Sequence, residues 1–145
     1  MANGILESMK TSKRSFCPVS SALDLLGDKW SLLIVRDIAL QKKNTFKEFL
    51  ESDEKIATNI LSDRLSRLEA QGIVSKSDHP HNKVVKVYRL TQKGLDLLPI
   101  LFDVVLWSDK YLEIANEGRA LAEEIRKDRQ GLLERLTKEL SQSSA

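Results

Sequence analysis

The hydrophobic period of residues 56–91 changes once, directly after Gly72, and this change restricts the folds open to the chain. Before Gly72, apolar side chains recur at helical spacing and predict a helix with one apolar face, formed by Ala57, Leu61, Leu65 and Leu68. A glycine in this place is typical of a C-terminal cap. After it, short apolar runs flank a polar turn near His79 to Lys83, which predicts a β-hairpin.

The opposite face of the predicted helix carries short hydrogen-bonding side chains and an arginine. Asn59 and Ser62 suit contacts with base edges, and Arg67 can bond a guanine or a phosphate. Thr58 is a further candidate contact, with helix capping as its alternative role. The alternative for the whole group is an ordinary solvated face. The helical period of this segment, its positive charge and the β-hairpin that follows it together favour DNA contact.

Two further charged residues, Asp63 and Arg64, lie on the predicted helix. Asp63 would repel phosphates unless it pairs with Arg67 or accepts from a cytosine amine. Arg64 lies beside the apolar face, which favours a structural ion pair.

A capping-box pattern precedes the helix. Thr45 and Glu48 stand three residues apart, where each side chain can accept from the other's backbone amide, and they predict a short helix over residues 46–52. A turn and the longer helix follow, which is the order of a helix-turn-helix. With the hairpin as a wing, the order predicts a winged helix, whose second helix enters a major groove. Lys83 and Lys86 of the wing would then neutralise phosphates.

Positive charge is concentrated on this predicted surface. The chain of 145 residues has a net charge of only +2. Residues 56–93 nevertheless carry seven basic against three acidic side chains, while residues 109–145 carry seven basic against eight acidic ones. This distribution is the one that a double-stranded DNA partner requires.

The composition excludes several classes of protein. No apolar run approaches the length of a membrane span, and the N-terminus lacks the apolar part of a signal peptide, so we expect a cytoplasmic protein without a membrane partner. No phosphate loop, hydrolase motif or Cys and His constellation is present, so we expect neither catalysis nor a cofactor. His79 and His81 are a weak metal signal and fit a turn better; no metal site is predicted.

The N-terminal residues 1–16 are polar and weakly basic and predict a flexible arm, with a short helical piece at Ile5 to Met9. Pro18 opens the first helix and Gly27 ends it. Asp28 then caps the segment KWSLLIVRDIAL, whose many apolar residues predict a central, buried helix.

The single cysteine, Cys17, has two open interpretations. Lys13 and Arg14 precede it, and nearby positive charge can lower the pKa of a thiol and make it a redox sensor. The alternative is a small buried apolar residue, which is the commoner role of a free cysteine.

A long amphipathic stretch follows Thr91, which caps it, and Pro99 is expected to kink the helix. Its apolar surface is wider than one small core can bury, and the surplus predicts a homodimer, since symmetric dimers are the commonest soluble assemblies. The predicted interface consists of Leu97, Leu101, Val104, Trp107 and Tyr111.

Residues 117–140 continue a helical pattern beyond that stretch, with an interruption at Gly131. The pattern is compatible with a weak coiled coil or with a helix folded back on the dimer. Its apolar stripe is formed by Leu121, Ile125, Leu132, Leu136 and Leu140.

Four motifs together resemble the HxlR family of bacterial regulators, which is close to the MarR-type winged helix proteins. They are CPVSSALDLLGDKWSLLIVRDI, TFKEF, ILSDRLSRLEAQGIV, and YRLTQKG with Pro99 and Trp107 after it. The resemblance runs from Cys17 to about Tyr111. It implies a dimer, formed by N- and C-terminal helices, that binds a pseudo-palindromic operator. Some members of the family sense oxidants or electrophiles through a cysteine at the position of Cys17.

The chain departs from the family pattern at three places. The wing has a single proline, Pro80, and lysines in place of the usual arginine. Asn44 and Thr45 replace an arginine that commonly precedes the TFKEF phenylalanine. The helical pattern beyond Asn116 exceeds the usual end of the family.

We therefore predict a mainly α protein with a small β-hairpin (α+β), a winged helix-turn-helix with flanking N- and C-terminal dimerisation helices. Its parts are an arm over residues 1–16, an HxlR-type domain over 17–113 and a helical extension over 117–140. The predicted function is a homodimeric transcriptional regulator, with repression favoured, that responds to oxidants, electrophiles or a small-molecule effector. The alternatives are a winged-helix protein-interaction module and a ligand-binding module without DNA binding.

Overall fold

Helices and one β-hairpin form residues 14–142, the part of the chain that the computed structural model describes. The helices are α1 (Pro18–Leu26), α2 (Ser31–Leu40), α3 (Phe46–Leu50), α4 (Thr58–Ala70), α5 (Gln92–Leu95), α6 (Leu98–Tyr111), α7 (Asn116–Lys127) and α8 (Arg129–Gln142). The strands β1 (Val74–His79) and β2 (Asn82–Leu90) pair antiparallel. The predicted mainly helical class with a small hairpin is confirmed. The helical piece predicted at Ile5 to Met9 lies outside the described residues.

Helix α2 forms the centre of the hydrophobic core, as predicted. Its side chains Ile34, Val35, Ile38 and Ala39 are at most 4% exposed. Asp28 caps the turn before it, since its Oδ2 accepts from the amides of the residues at positions 30 and 31 at 3.0 Å. Residues from the rest of the fold pack around α2, among them Phe49, Leu61, Leu65, Leu68, Phe102, Leu132 and Leu136.

The helix-turn-helix consists of α3, a turn over residues 51–57, and α4. The predicted capping box is present: Thr45 Oγ1 accepts from the Glu48 amide at 3.3 Å, and the Glu48 carboxylate accepts from the Thr45 amide at 3.2 Å. Helix α3 ends at Leu50, two residues before its predicted end. Ala57 precedes α4 and is exposed, so its assignment to the apolar face is wrong.

Gly72 joins α4 to the hairpin in a left-handed conformation with φ of 72°, which a residue without Cβ adopts at little cost. The hairpin is attached to the residues that begin α3. Thr45 forms an isolated β-bridge with Val87, and the Tyr88 amide donates to the Asn44 carbonyl at 2.8 Å. The wing therefore has a fixed position relative to the helix-turn-helix.

The second half of the chain departs from prediction at two breaks. Pro99 does not kink a continuous helix, because α5 ends at Leu95 and α6 begins at Leu98. The proline lies in the first turn of α6, where its missing amide is not needed. The break in the extension falls at Asp128 instead of Gly131, which lies in the first turn of α8 and donates its amide to Asp128 Oδ1 at 3.0 Å.

Helices α7 and α8 fold back onto their own chain. Arg129 donates to Asp103 Oδ1 at 2.8 Å and to the Pro99 carbonyl at 3.0 Å. Lys42, after α2, pairs with Glu139 at 3.1 Å. The predicted apolar stripe of the extension is confirmed and joins the core, with Ile125, Leu132 and Leu136 buried and Leu121 and Leu140 packed against them.

Candidate nucleic-acid interface

One face of α4 is open to solvent and carries the residues predicted to contact DNA. Thr58, Asn59, Ser62 and Arg67 are all exposed. The three leucines of the opposite face are at most 2% exposed, because the helical period separates the two sets. The N-cap residue of α4 is Ala57 and not Thr58, and it makes no side-chain capping hydrogen bond, so the alternative capping role of Thr58 is wrong. The amides of that turn are left to solvent or to an anion.

A series of ion pairs connects the exposed face of α4 to the turn before α2. Arg64 Nε lies 2.9 Å from Asp28 Oδ2, which confirms the predicted structural role of Arg64. Arg64 also contacts Asp63, and Asp63 pairs with Arg67 at 3.1 Å. Burial raises the pKa of Asp28, but hydrogen bonds from Ser31, Arg64 and nearby backbone amides outweigh it and hold that pKa below its usual value. Arg67 therefore presents a partly compensated charge.

A buried carboxylate supports the turn between α3 and α4. Asp37 on α2 is 3% exposed and accepts from Ser52 Oγ at 2.6 Å. Arg36 donates to the same carboxylate at 2.7 Å and makes two 2.8 Å hydrogen bonds to Glu54 in the turn. The hydrogen bonds from Arg36 lower the pKa of Glu54 to about 2, against a smaller opposing effect of burial. The buried hydrogen bond between Ser52 and Asp37 and the Arg36–Glu54 pair together tie the turn before α4 to α2.

The wing presents its two predicted lysines in different electrostatic environments. Lys83 and Lys86 are both exposed. Lys86 Nζ contacts the carboxylate of Asp78, which stands directly opposite on β1. Among residues 14–142, no acidic side chain lies within ion-pair distance of Lys83. Val84, which sequence reasoning did not select, is 89% exposed beside Lys83, so the wing offers an apolar side chain as well as a charge.

The two wing histidines lie at the turn of the hairpin, as predicted. The His81 amide donates to His79 Nδ1 at 3.1 Å, and the ring centroids lie 6.0 Å apart. Over residues 14–142, no group of three or more His, Cys, Asp and Glu side chains is arranged to hold a metal ion.

The predicted dimer residues divide between the core and an exposed stripe. Leu101 is 6% exposed and lies in the core of its own chain, and Leu97 packs against that core. This placement corrects the predicted interface, because Leu101 has no exposed surface to offer a partner. The other three predicted residues form a stripe along α6 together with Ile100, which was not predicted: Ile100, Val104, Trp107 and Tyr111 are each at least 45% exposed.

Cys17 is exposed at the N-terminal cap of α1, so the interpretation as a small buried residue is wrong for this chain. Hydrogen bonds from first-turn backbone amides, chiefly that of Ser20, lower the pKa of the thiol below its usual value. Amides at a helix N-terminus favour the thiolate in this way. The predicted effect of Arg14 is not among these causes, because Arg14 pairs with Asp24 at 3.0 Å; Lys13, the other predicted charge, lies outside the described residues.

Comparison with known proteins decides the family. The family described as HxlR-like helix-turn-helix matches residues 25–116, a span that contains the helix-turn-helix, the wing and α6. The chain belongs to the HxlR family. This HxlR-family chain is accordingly an HTH-type, DNA-binding transcriptional regulator and not an enzyme.

Relatives of this HxlR-family chain include bacterial regulators and solved structures. The HTH-type transcriptional regulator YodB of Bacillus subtilis (strain 168) is 33% identical over 100 residues, which are 68% of this chain and 88% of YodB. The crystal structure of the candidate transcription factor PA1607 has a TM-score of 0.64 at 37% identity, covering 73% of this chain and 72% of that one. The redox regulator HypR in its oxidised form has a TM-score of 0.58 at 32% identity, covering 68% of this chain and 100% of that one.

Two parts of this HxlR-family chain lie outside the family match. Cys17 and most of α1 precede it, and the extension formed by α7 and α8 follows it. None of the helices between residues 14 and 142 combines the length and hydropathy that a bilayer-spanning segment needs.

Proposed function

We propose that two copies of this regulator bind one pseudo-palindromic operator and repress the adjacent genes. The observation that carries the proposal is the face of α4, where Asn59 and Ser62 are exposed while the opposite leucines are buried. A helix with such a face fits the major groove of B-DNA, where amide and hydroxyl groups can bond base edges. Arg67 would bond a guanine or a phosphate, and Thr58 would contact the backbone at the helix start.

The wing supplies the backbone contacts in this proposal. Lys83 is the main phosphate contact, because its charge is not compensated by any described carboxylate. Lys86 contributes less, because Asp78 already neutralises it. The positive balance of residues 56–93 supports the same placement.

The exposed stripe of α6 is the proposed dimer face. Val104, Trp107 and Tyr111 recur at helical spacing, and their rings and methyl groups would leave water on dimerisation. Two copies are needed because one recognition helix and one wing make few contacts, and a symmetric operator matches a two-fold dimer.

Cys17 is the proposed site of regulation by oxidants. Its thiolate would attack one oxygen of hydrogen peroxide, forming an S–O bond while the O–O bond breaks and hydroxide leaves, which gives a sulfenic acid. The exposed position and lowered pKa of Cys17 support this step, as does the likeness to the redox regulator HypR. Oxidation beside α1 would change the spacing of the two α4 helices and release the operator.

Footprinting on the DNA that flanks the gene of this protein tests the operator proposal. Asn59→Ala should weaken binding to the protected site about 30-fold or more, because each of the two copies loses one base contact. Asn116→Ala, which removes an exposed asparagine from α7, is the matched control and should bind as wild type. Absence of any protected site would instead favour the protein-interaction alternative, and equal binding by the two variants would remove Asn59 from the interface.

Sedimentation tests the dimer. Wild-type protein should sediment as a dimer at micromolar concentration, and Trp107→Glu should shift it towards monomer because the substitution places a charge in the apolar stripe. A monomeric wild type at that concentration would contradict the dimer.

The redox proposal is tested by operator release in hydrogen peroxide. Wild-type protein should release its operator and Cys17→Ser should retain it, since a hydroxyl does not form the sulfenic acid. Release that persists in Cys17→Ser would exclude this residue as the sensor.

A further inference from the structure

A half-open apolar cleft lies between the family-matched domain and the C-terminal extension. Helices α2 and α6 form one side, α7 and α8 form the other, and the cleft encloses about 590 Å³. Sites for small molecules commonly enclose about 300–1,000 Å³. Leu101, Leu132 and Leu136 are its most buried lining residues, whereas Leu33 and Val105 are only half-buried. The chain thus leaves apolar surface within a concave site.

Both arginines that line this cleft are paired with carboxylates. Arg135 pairs with Glu124, and Arg36 makes two 2.8 Å hydrogen bonds to Glu54, which lies outside the cleft. Glu117, the remaining charged lining residue, is exposed to solvent. An ionic ligand would therefore bring an unpaired charge into a mainly apolar site, which is unfavourable. A neutral ligand would cover half-exposed leucine and valine side chains without that penalty.

The extension makes the cleft a feature of this chain. Leu121 comes from α7, and Leu132 and Leu136 come from α8, all beyond the family match at residues 25–116. The hydrogen bonds of Arg129 to α6 hold these two helices in place. Helices α2 and α6 alone would present an open surface instead of a concave site.

One lining residue connects the cleft to the DNA-binding surface. Arg36 borders the cleft and also holds Glu54 in the turn before α4. A molecule packed against Arg36 therefore acts on the arginine that fixes the orientation of the recognition helix. Such contacts change DNA affinity when they differ between the DNA-bound and free forms.

We propose that this cleft binds one neutral, mainly apolar small molecule per chain and that its occupancy changes operator affinity. The second statement rests on the proposed function, whereas the first does not. By linkage, the factor by which the ligand changes operator affinity equals the factor by which the operator changes ligand affinity.

Binding of Nile red, a neutral apolar fluorophore, to the full chain tests the site without DNA. Leu33→Trp and Leu121→Trp fill the cleft from opposite walls, and each should weaken dye binding at least about tenfold because the added ring occupies the space of the ligand. Leu112→Ser removes exposed apolar surface directly after α6, outside both the cleft and the α6 stripe, and is the control, with binding expected to be unchanged. Circular dichroism shows whether each variant is folded.

Several results would overturn the site. They are absence of dye binding to wild type, full binding by both folded filled variants, or loss of binding in Leu112→Ser, which would assign the dye to the exposed apolar surface outside the cleft. Photolabelling of wild type with neutral benzophenone requires no variant, and it should mark peptides within residues 31–41 and 98–142. Labelling confined to residues 16–26 would contradict the proposal.

Operator binding measured with and without saturating Nile red tests the coupling. The two affinities should differ, and the affinity for the dye should change by the same factor when operator is added. Equal operator affinities with a filled site would overturn the coupling and leave the site itself standing. Failure of the ligand-free protein to bind DNA would count against the proposed function instead.

Discussion

Replacing Lys83 with alanine should flatten the salt dependence of operator binding more than replacing Lys86. Both lysines are exposed on β2, but the Lys86 ammonium contacts Asp78, whereas Lys83 has no acidic partner within residues 14–142. Losing one phosphate contact from each copy of a dimer should lower the slope of log K against log salt concentration by about 1.8. Over a fourfold rise in salt, the variant should therefore lose about tenfold less affinity than wild type.

Fluorescence anisotropy of a labelled operator between about 50 and 200 mM salt measures this slope. Lys127→Ala on α7 makes the same charge change beyond the family match and is the control. Asp78→Asn should steepen the slope, because it frees Lys86 for a phosphate. Equal slopes for the Lys83 and Lys127 variants would refute the wing contact. A larger effect at Lys86 than at Lys83 would refute the electrostatic difference between the two lysines.

Four further substitutions test the fold by urea denaturation. Gly72→Ala should lower the free energy of unfolding by about 1–2 kcal/mol, because a φ of 72° is strained for a residue with a side chain. Steric contact is not the cause, since a Cβ at this position meets nothing within 4 Å. An unchanged urea midpoint would contradict this prediction. Leu101→Ala should cost about 2–5 kcal/mol and Leu112→Ala, at an exposed position after α6, under about 0.5 kcal/mol, and equal losses would contradict the burial of Leu101. Glu54 has a pKa of about 2 against an ordinary 4.5, so the stabilisation from its pair with Arg36 is complete above pH 4.5 and is lost as the pH falls towards 2. Glu54→Gln should be about 1 kcal/mol less stable than wild type near pH 6, a value reduced because Glu54 is 39% exposed. The difference in unfolding free energy between the two proteins should shrink near pH 3; a constant difference would contradict the stabilising role of the Arg36–Glu54 pair.

Local signals account for the parts of the fold that the sequence predicted well. The capping box at Thr45 and Glu48 acts within four residues, so the start of α3 follows from the sequence alone. Gly72 marks both the end of α4 and the change to the strand period. The exposed face of α4, with Asn59 and Ser62, follows from the same period.

The missed features depend on contacts between distant residues or on ambiguous signals. A proline suits both a kink and a first turn, so Pro99 alone does not reveal that α6 begins beside it. Which apolar face of α6 enters the core depends on packing against other helices, and the sequence treats Leu101 and Val104 alike. Asp37 was recognisable only as an acid in an apolar helix, because its partner Ser52 lies 15 residues away.

The packing of α8 into the core also affects when the core can form during synthesis of the chain. Lys42 and Glu139, which pair between α2 and α8, are 97 residues apart in sequence. At a synthesis rate of about 5–20 residues per second, the apolar face of α2 waits about 5–20 s for the leucines of α8 to be added. During that interval the apolar side chains that α8 later covers remain exposed on the nascent chain. A chaperone that binds exposed apolar surface on nascent chains therefore has time to bind this protein before α8 is synthesised.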